Sequence, residues 1–417
     1  MPARRAQKPS SSPGWSSSTR LQLVAYSALL VATPFLLVRQ YLQNAIGQIT
    51  HFAFHLCGKE IPTVPAVALL LFTVLLIRFR SHLTKPRILA GVVALAAVAL
   101  AQQITDFYAG FAFYDLQQNW HYIAYAVFAF MMYRDLAPRR VALAGILLTV
   151  YFWAMLLSSF DEAFQRHMSA RVFDVSDIAK DVCGSLTGLV LIFAGVVESR
   201  GLPATHRQLR HRQPGAYFRN PVAVLVLLTA LTFLFLFFSS LLTEFAYWKL
   251  SVLLTIGAFL VFSLLFHASR FKWGKYSLLG IAVAAVLVQS CFFIKYRNDG
   301  IVHNRPGLTV YKGIPVVFFD LMIFPNGMFR LVDRKTHFNF LDRRSLLKQR
   351  ADIVVVGAGS SGQGGRGFPS EAPSQFVYNR FTQRGTQVII LRNSEACRVY
   401  NRLKQEGKSV LLVLHNS

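Results

Sequence analysis

The chain has 417 residues, of which 54% are hydrophobic and 15% charged, and 36 are Phe. A soluble protein of this length needs more polar surface, so the composition excludes an ordinary globular enzyme and points to a membrane protein. The formal net charge is +25, but Lys and Arg sit in short loops and in the tail rather than in one stripe. That pattern fits anionic lipid headgroups and topology setting, and no nucleic-acid-binding motif accompanies it.

Residues 1–20 combine Arg4, Arg5, Lys8 and Arg20 with a Ser/Pro run, which predicts a disordered basic leader. The apolar run Leu21 to Val38 is followed by Arg39, Gln40 and Tyr41, where a signal peptidase would need small residues, so it reads as an uncleaved first span. Gln40 to Gly58 is half polar and carries His51 and His55 at i, i+4; with no third ligand nearby it reads as an interfacial amphipathic helix, not a metal site. Further apolar stretches follow at Val64–Ile77, Ile88–Ile104, His121–Tyr133, Val141–Phe160, Ile178–Val197, Val222–Leu242, Leu250–Phe266 and Tyr276–Ile294. The fold class expected is a multi-pass α-helical membrane bundle of about nine transmembrane helices over residues 21–294, followed by a small α/β domain. Cys57, Cys183, Cys291 and Cys397 show no CxxC spacing, so neither a disulfide framework nor zinc is signalled.

Loop charge sets the orientation. Arg78, Arg80, Lys85 and Arg87 mark one cytoplasmic loop, and Arg134, Arg139 and Arg140 a second. Arg200, Arg207, Arg210, Arg212 and Arg219 mark a third, and Arg270, Lys272 and Lys275 a fourth, while Thr105 to Gln118 has no Lys or Arg. The amino terminus is then cytoplasmic and the acidic segment Asp161 to Asp181 faces outward. The side of the tail stays open, because long domains do not obey the charge rule.

That acidic segment is the main candidate site. Carboxylates beside hydrocarbon are costly, and Asp161, Glu162, Asp174, Asp177 and Asp181 cluster there. His121 and Tyr125, Asp161 and Gln165, and Asp177 and Asp181 are i, i+4 pairs that each share one helix face, and Gly184-x-x-x-Gly188 permits close helix packing. With Arg171 in the loop, the set His121, Tyr125, Asp161, Glu162, Gln165, Arg171, Asp177 and Asp181 could grip a phosphorylated headgroup. The alternative is structural: such residues also cap helices and pair with one another.

Asp161-Glu162-Ala163-Phe164-Gln165, Arg171, Asp177-x-x-x-Asp181-x-x-Gly184-x-x-x-Gly188 and the earlier His121-x-x-x-Tyr125 resemble the signature of the VanZ-like membrane family over about residues 88–197. Gln117 and Gln118 stand where that family tends to carry Asp-Lys, and Asp181 replaces its usual Asn. The resemblance implies a bacterial, envelope-associated protein of the inner (cytoplasmic) membrane, known in the family for a glycopeptide-resistance member.

After Ile294 the apolar runs shorten to strand length, at Val316–Leu321, Ile353–Val356, Val388–Leu391 and Val410–Leu414, with helical patterning at Ser374–Arg384 and Ser394–Gln405. This predicts an α/β domain at 308–417 behind a linker at 295–307. Gly357-Ala358-Gly359-Ser360-Ser361-Gly362 is a GxGxxG after a strand, but Gln363-Gly364-Gly365-Arg366-Gly367-Phe368-Pro369 opposes the helix that a dinucleotide fold needs, so a glycine loop without nucleotide is expected.

Asp320-Leu321-Met322-Ile323-Phe324-Pro325-Asn326-Gly327, Asp352-Ile353-Val354-Val355-Val356-Gly357-x-Gly359, Tyr400-Asn401-x-Leu403 and Val413-Leu414-His415-Asn416-Ser417 resemble a Mth938-like domain. Its relatives include small soluble proteins and a mitochondrial complex I assembly factor, which implies an interaction or assembly role. The expectation is thus a non-catalytic membrane protein without cofactor, its partners being membrane lipids, an envelope lipid or lipid-linked precursor, and a protein bound through the tail. The alternative is an enzyme acting on a phosphorylated lipid headgroup, or a nucleotide-dependent oxidoreductase, although no Ser-His-Asp set, HExxH or Walker motif is present.

Overall fold

A computed structural model describes residues 15–36, 49, 52–56, 59–105, 116–139, 141–167, 173–200, 213–333, 346–364 and 369–416. The helices are α1 (Trp15–Leu36), α2 (Thr63–Arg78), α3 (Lys85–Thr105), α4 (Leu116–Leu136), α5 (Leu143–Gln165), α6 (Val175–Arg200), α7 (Pro221–Leu241), α8 (Trp248–Ala268), α9 (Lys272–Tyr296) and, in the tail, α10 (Asn393–Gln405). A backbone in hydrocarbon must satisfy its own hydrogen bonds, which is why the apolar runs are helical.

Among the described residues six helices, α3 and α5 to α9, are long and apolar enough to cross a membrane, where the sequence predicts about nine spans. Among the described residues α1 and α2 contain shorter apolar helices at Thr19–Ala32 and Ala66–Arg78. Gln117, Gln118, Asn119, His121, Arg134 and Asp135 lower the hydropathy of α4.

Two further expectations change. The expected disordered leader contains the first turns of α1, which starts at Trp15; residues 1–14 lie outside the described ones. Part of the expected interfacial helix at 40–58 is a strand instead. Strands β1 (Ala53–Leu56) and β2 (Lys59–Pro62) pair antiparallel with Phe54 opposite Ile61, so His55 is not on a helix, while His51 lies outside the described residues.

The chain forms two compact units, residues 1–98, 116–172 and 180–228 in the first and 99–115, 173–179 and 229–417 in the second. In the first, α4, α5 and the described part of α6 build the core from Tyr122, Tyr125, Phe128, Leu147, Val150, Ala154, Val182 and Leu186, all buried. Helix α1 packs on α4 and α5, and the Tyr26 hydroxyl donates to the Ala124 carbonyl at 2.9 Å.

In the second unit, strands β3 (Ile301–Arg305), β4 (Leu308–Tyr311) and β5 (Ile314–Val317) form a three-stranded meander. Strands β6 (Asp320–Ile323), β7 (Phe329–Val332), β8 (Ile353–Gly357), β9 (Ala372–Asn379), β10 (Arg384–Leu391) and β11 (Val410–Leu414) form a six-stranded sheet in the order β7-β6-β11-β8-β10-β9. The pairs β11–β8 and β8–β10 are parallel and the rest antiparallel.

Three tail elements differ from the sequence expectation. The run Val316–Leu321 is divided between β5 and β6, broken at Phe318, whose φ of 70° turns the chain from one sheet into the other. Ser374–Arg384, expected to be helical, lies mostly in β9: Gln375, Phe376, Val377 and Tyr378 pair with Val388, Gln387, Thr386 and Gly385, and this pairing suits the Phe-Val-Tyr run. The expected linker 295–307 contains β3, whose Ile301 is fixed by both amide atoms of Asn401: Nδ2 donates to the Ile301 carbonyl at 2.8 Å, and the Ile301 N–H donates to Oδ1 at 2.9 Å.

Strands β6, β8 and β11 are buried throughout, so alternate residues serve opposite faces. Leu321, Ile323, Ile353, Val355, Val410, Leu412 and Leu414 face α10 and the meander, meeting Ala396, Cys397 and Tyr400. Met322, Val354, Val356, Leu411 and Val413 form the opposite core, and Leu241 at the end of α7 lies within it, with Phe237 packed alongside. Thr243, just past α7, donates through its hydroxyl to Asp333 at 2.6 Å. Helix α9 also reaches the domain. Gln289 Nε2 donates to the Gly313 carbonyl at 3.0 Å, and Gly313, at φ +78°, has no room for a Cβ, which would stand 2.6 Å from the Phe292 carbonyl oxygen.

The α7 end therefore belongs to the core of the α/β domain. Leu241→Ala is expected to destabilise the protein by about 2–4 kcal/mol, the usual cost of truncating a buried Leu. Leu253→Ala, on an exposed helix face, should stay within about 0.5 kcal/mol. Thermal unfolding in detergent measures both; equal midpoints would show that Leu241 contributes nothing to the domain.

Candidate functional site

Two polar clusters stand out in surroundings that penalise them. The first is in the helical bundle. Asp181, on α6, is buried and accepts two hydrogen bonds, from the Ser158 hydroxyl on α5 at 2.6 Å and from His121 Nδ1 on α4 at 2.9 Å. Tyr125, one turn beyond His121, is hydrogen-bonded to Ser158 and lies in the electrostatic field of Asp181, Asp161 and Glu162. One carboxylate thus ties three helices together, a use of buried polar groups in a bundle that leaves their desolvation cost offset by partners.

The helices can come this close because of Gly184 and Gly188. A Cβ at Gly184 would stand 2.6 Å from the Tyr122 carbonyl oxygen, and one at Gly188 would stand 2.8 Å from that of Ala126. Without these two glycines α4 and α6 could not bring His121 and Asp181 within hydrogen-bond reach. Ser185 reinforces the same crossing by donating to the Tyr125 carbonyl at 3.3 Å.

At the end of α5, Gln165 Nε2 donates to Glu162 Oε1 at 3.0 Å and to Asp161 Oδ2 at 3.1 Å, so one amide serves both carboxylates. Glu162 is buried. Asp177 has a different setting, in the first turn of α6 in the second compact unit. There Asp174 Oδ1 accepts from the Ser176 N–H at 2.7 Å and caps the helix, and the Asp177 carboxylate complements the positive end of the helix dipole. Arg171 lies outside the described residues.

Sequence reasoning missed Ser158 and the buried Lys180. Ser158 stands seven residues before Gln165 on the same helix, so helical spacing from Gln165 back through Asp161 could have found it. The arrangement is not a nucleophilic triad. There the serine hydroxyl must give its proton to the imidazole, whereas here Ser158 and His121 both address the carboxylate. Among the described residues no group of three or more His, Cys, Asp and Glu side chains converges as metal ligands do.

The second cluster closes the α/β domain where the parallel strands end. Asp320, from β6, takes the His415 Nδ1 at 3.0 Å on one oxygen and the Asn416 N–H at 2.9 Å on the other, with Asp320 and His415 fully buried. Asn393, opening α10, donates to the His415 carbonyl at 2.6 Å and accepts from the Gly359 N–H at 3.1 Å. The glycine loop is therefore pinned by an asparagine. After it the chain continues into β9, and α10 follows β10 instead, so Gly362 does not open a helix as a dinucleotide motif requires. Arg366 lies outside the described residues. Burial pushes the Cys397 thiol up to about 12, which keeps it protonated and unreactive near neutrality, and the Tyr400 hydroxyl is raised by burial and by the neighbouring Tyr311.

Comparison with known proteins addresses this domain alone. Residues 307–415 match the family described as "Protein of unknown function (DUF498/DUF598)". The chain is also similar to a solved structure titled "MT938", at 19% identity, over 28% of this chain and 97% of that one, with a TM-score of 0.22. No curated protein matches the chain. The family match lies wholly outside residues 88–197, where the VanZ resemblance was drawn.

The bundle cluster yields a graded expectation. Asp181→Ala leaves His121 and Ser158 without their acceptor and should cost about 3 kcal/mol. Asp181→Asn keeps an acceptor oxygen and should cost clearly less. Thermal midpoints of the detergent-purified variants decide this, and equal losses would mean that the carboxylate's hydrogen bonds do not hold the helices.

Proposed function

We propose that this protein is a non-catalytic, multi-pass membrane protein that holds a docking domain at the membrane face opposite its basic loops. The observation that carries the reading is the burial of Leu241, the last residue of a spanning helix, within the core of the α/β domain. A domain fastened in this way is presented at a fixed height above the bilayer, as an assembly or recruitment module requires. The Mth938-like resemblance supports the same role.

Helix direction supports this choice of side. Helix α9 starts among Arg270, Lys272 and Lys275 and, after 25 residues, ends against Gly313. At ~1.5 Å per residue that length exceeds a hydrocarbon core of ~30 Å. Lys295 in its last turn and Arg297 just beyond it are also basic, so α9 alone gives a small bias. Helix α3 strengthens it: Lys85 and Arg87 flank its start, the Gln103 carbonyl near its end accepts from Arg330 of β7 at 3.2 Å, and residues 106–115 contain no Lys or Arg. In this reading the membrane region has about nine spans, the amino terminus and basic loops are cytoplasmic, and the α/β domain lies outside the cytoplasmic membrane.

The buried cluster around Asp181 serves the bundle as a latch, because His121, Ser158 and Gln165 are each engaged with a carboxylate of that cluster. A lipid or lipid-linked headgroup would need Arg171 in addition. Single cysteines at Lys272 and at the exposed Arg398 test the topology in sealed vesicles of known orientation. A membrane-impermeant maleimide should reach the two positions from opposite sides; labelling of both from one side would overturn the proposal.

A further inference from the structure

Among the described residues the six-stranded sheet ends at β7 and at β9, and β9 is the longer of these edges. Strand β9 is last in the order, and among the described residues no strand pairs with its outer side. It is also well exposed: Phe376 at 77%, Tyr378 at 65% and Val377 at 38%. Natural edge strands are commonly protected by charges, by shortness or by a covering element, because their free N–H and C=O groups recruit other strands. β9 is eight residues long and carries no charged residue.

The Tyr378 hydroxyl donates to Gln383, and the Phe376 ring stands beside Gly385 of β10, 3.8 Å from where a Cβ there would lie. Aromatic rings supply contact area at small entropic cost. The charge around the strand is uneven along its length. At its carboxyl-terminal end Arg380 follows directly, Arg384 opens β10, and Lys348 and Arg350 stand in the segment fastened to β9 by the Asn379 Nδ2 donation to the Leu347 carbonyl at 3.0 Å. All four are exposed.

We infer that the outer edge of β9 receives an extended segment of a partner protein, which adds as an antiparallel strand, packs apolar side chains on Phe376 and Tyr378, and meets the four cations with acidic residues at its amino-terminal end. This deepens the docking role proposed above and rests on it. Main-chain hydrogen bonds would supply affinity, and the ring pair with the cationic end would supply register and direction. A second copy of the chain is a poorer occupant, since its β9 brings no carboxylate and the whole chain carries +25.

The test uses the full-length protein in detergent and a fluorescent peptide of alternating threonine and valine preceded by two glutamates, with a control whose glutamates are lysines. Anisotropy should show the acidic peptide binding at least about tenfold more tightly than the control. The double variant Phe376→Lys, Tyr378→Lys should weaken binding roughly tenfold or more, as loss of aromatic anchors does. Arg380→Glu with Arg384→Glu should shift preference towards the lysine peptide, and hydrogen exchange should slow at β9 when the acidic peptide is bound. Equal binding of the two peptides, unchanged affinity in the Lys variant, or protection elsewhere in the domain would overturn the inference. So would a protein whose sedimentation shows a dimer that the Lys variant dissolves, because the occupant would then be a second copy. Opposite-side labelling at Lys272 and Arg398 without peptide binding would sink the β9 inference alone and leave the anchoring intact.

Discussion

Strands β8 and β11 are apolar on both faces, and this constrains the whole carboxyl-terminal half. A sheet built on such strands must be covered twice. One cover is local: α10 follows β10 in the sequence and brings Ala396, Cys397 and Tyr400 to one face. The other cover includes Leu241 and Phe237, which come from a helix that ends 81 residues before Met322 begins the corresponding face. The α/β domain is consequently completed by the end of an apolar helix that precedes it in the chain.

The bundle solves the converse problem, that of polar groups in an apolar surrounding. Asp181 would be prohibitively costly alone, and the donors Ser158 and His121 come from two other helices, so the penalty of burial is turned into a constraint on how α4, α5 and α6 pack. Gly184 and Gly188 make that packing sterically possible. The cluster and the glycine pair are one device: the glycines permit the approach and the carboxylate fixes its register. Helix α9 shows the contrast, having no buried residue, and its polar side chain Gln289 is used at the domain end instead.

Much of this was legible in the sequence, and the misses have a common cause. Apolar runs long enough for a membrane identified most helices, since length and hydropathy are local properties, and apolar runs of strand length identified β8, β10 and β11 for the same reason. His121 and Asp181, and Gly184 with Gly188, could be named from spacing on single helices, but their meeting is a tertiary fact that spacing cannot supply. Ser374–Arg384 was misread because its polar residues fall at helical intervals, while the pairing of Phe376 and Tyr378 with β10 outweighs that pattern. Strand β3 escaped notice because Asn298, Gly300 and Pro306 around it signal a linker, and what makes it a strand is its pairing with β4 and the clamp from Asn401, a hundred residues away. The Asp320–His415 pair, ninety-five residues apart, had no local signature at all.

The glycine loop shows how a motif can be read correctly for a reason that only the structure completes. Composition alone argued against a helix after Gly362, because glycines oppose helix formation. The structure adds that the Gly359 N–H, which in a phosphate-binding loop would face a ligand, is already taken by Asn393, whose own amide is tied to the closing strand through His415. The backbone donor that would define an anion site has become a structural bond. In this domain the carboxyl ends of the parallel strands, where α/β folds usually bind ligands, are bridged by Asn393, His415 and Asn416. The docking role proposed above draws instead on the sheet edge at β9, where the unpaired backbone groups of an edge strand remain to be met.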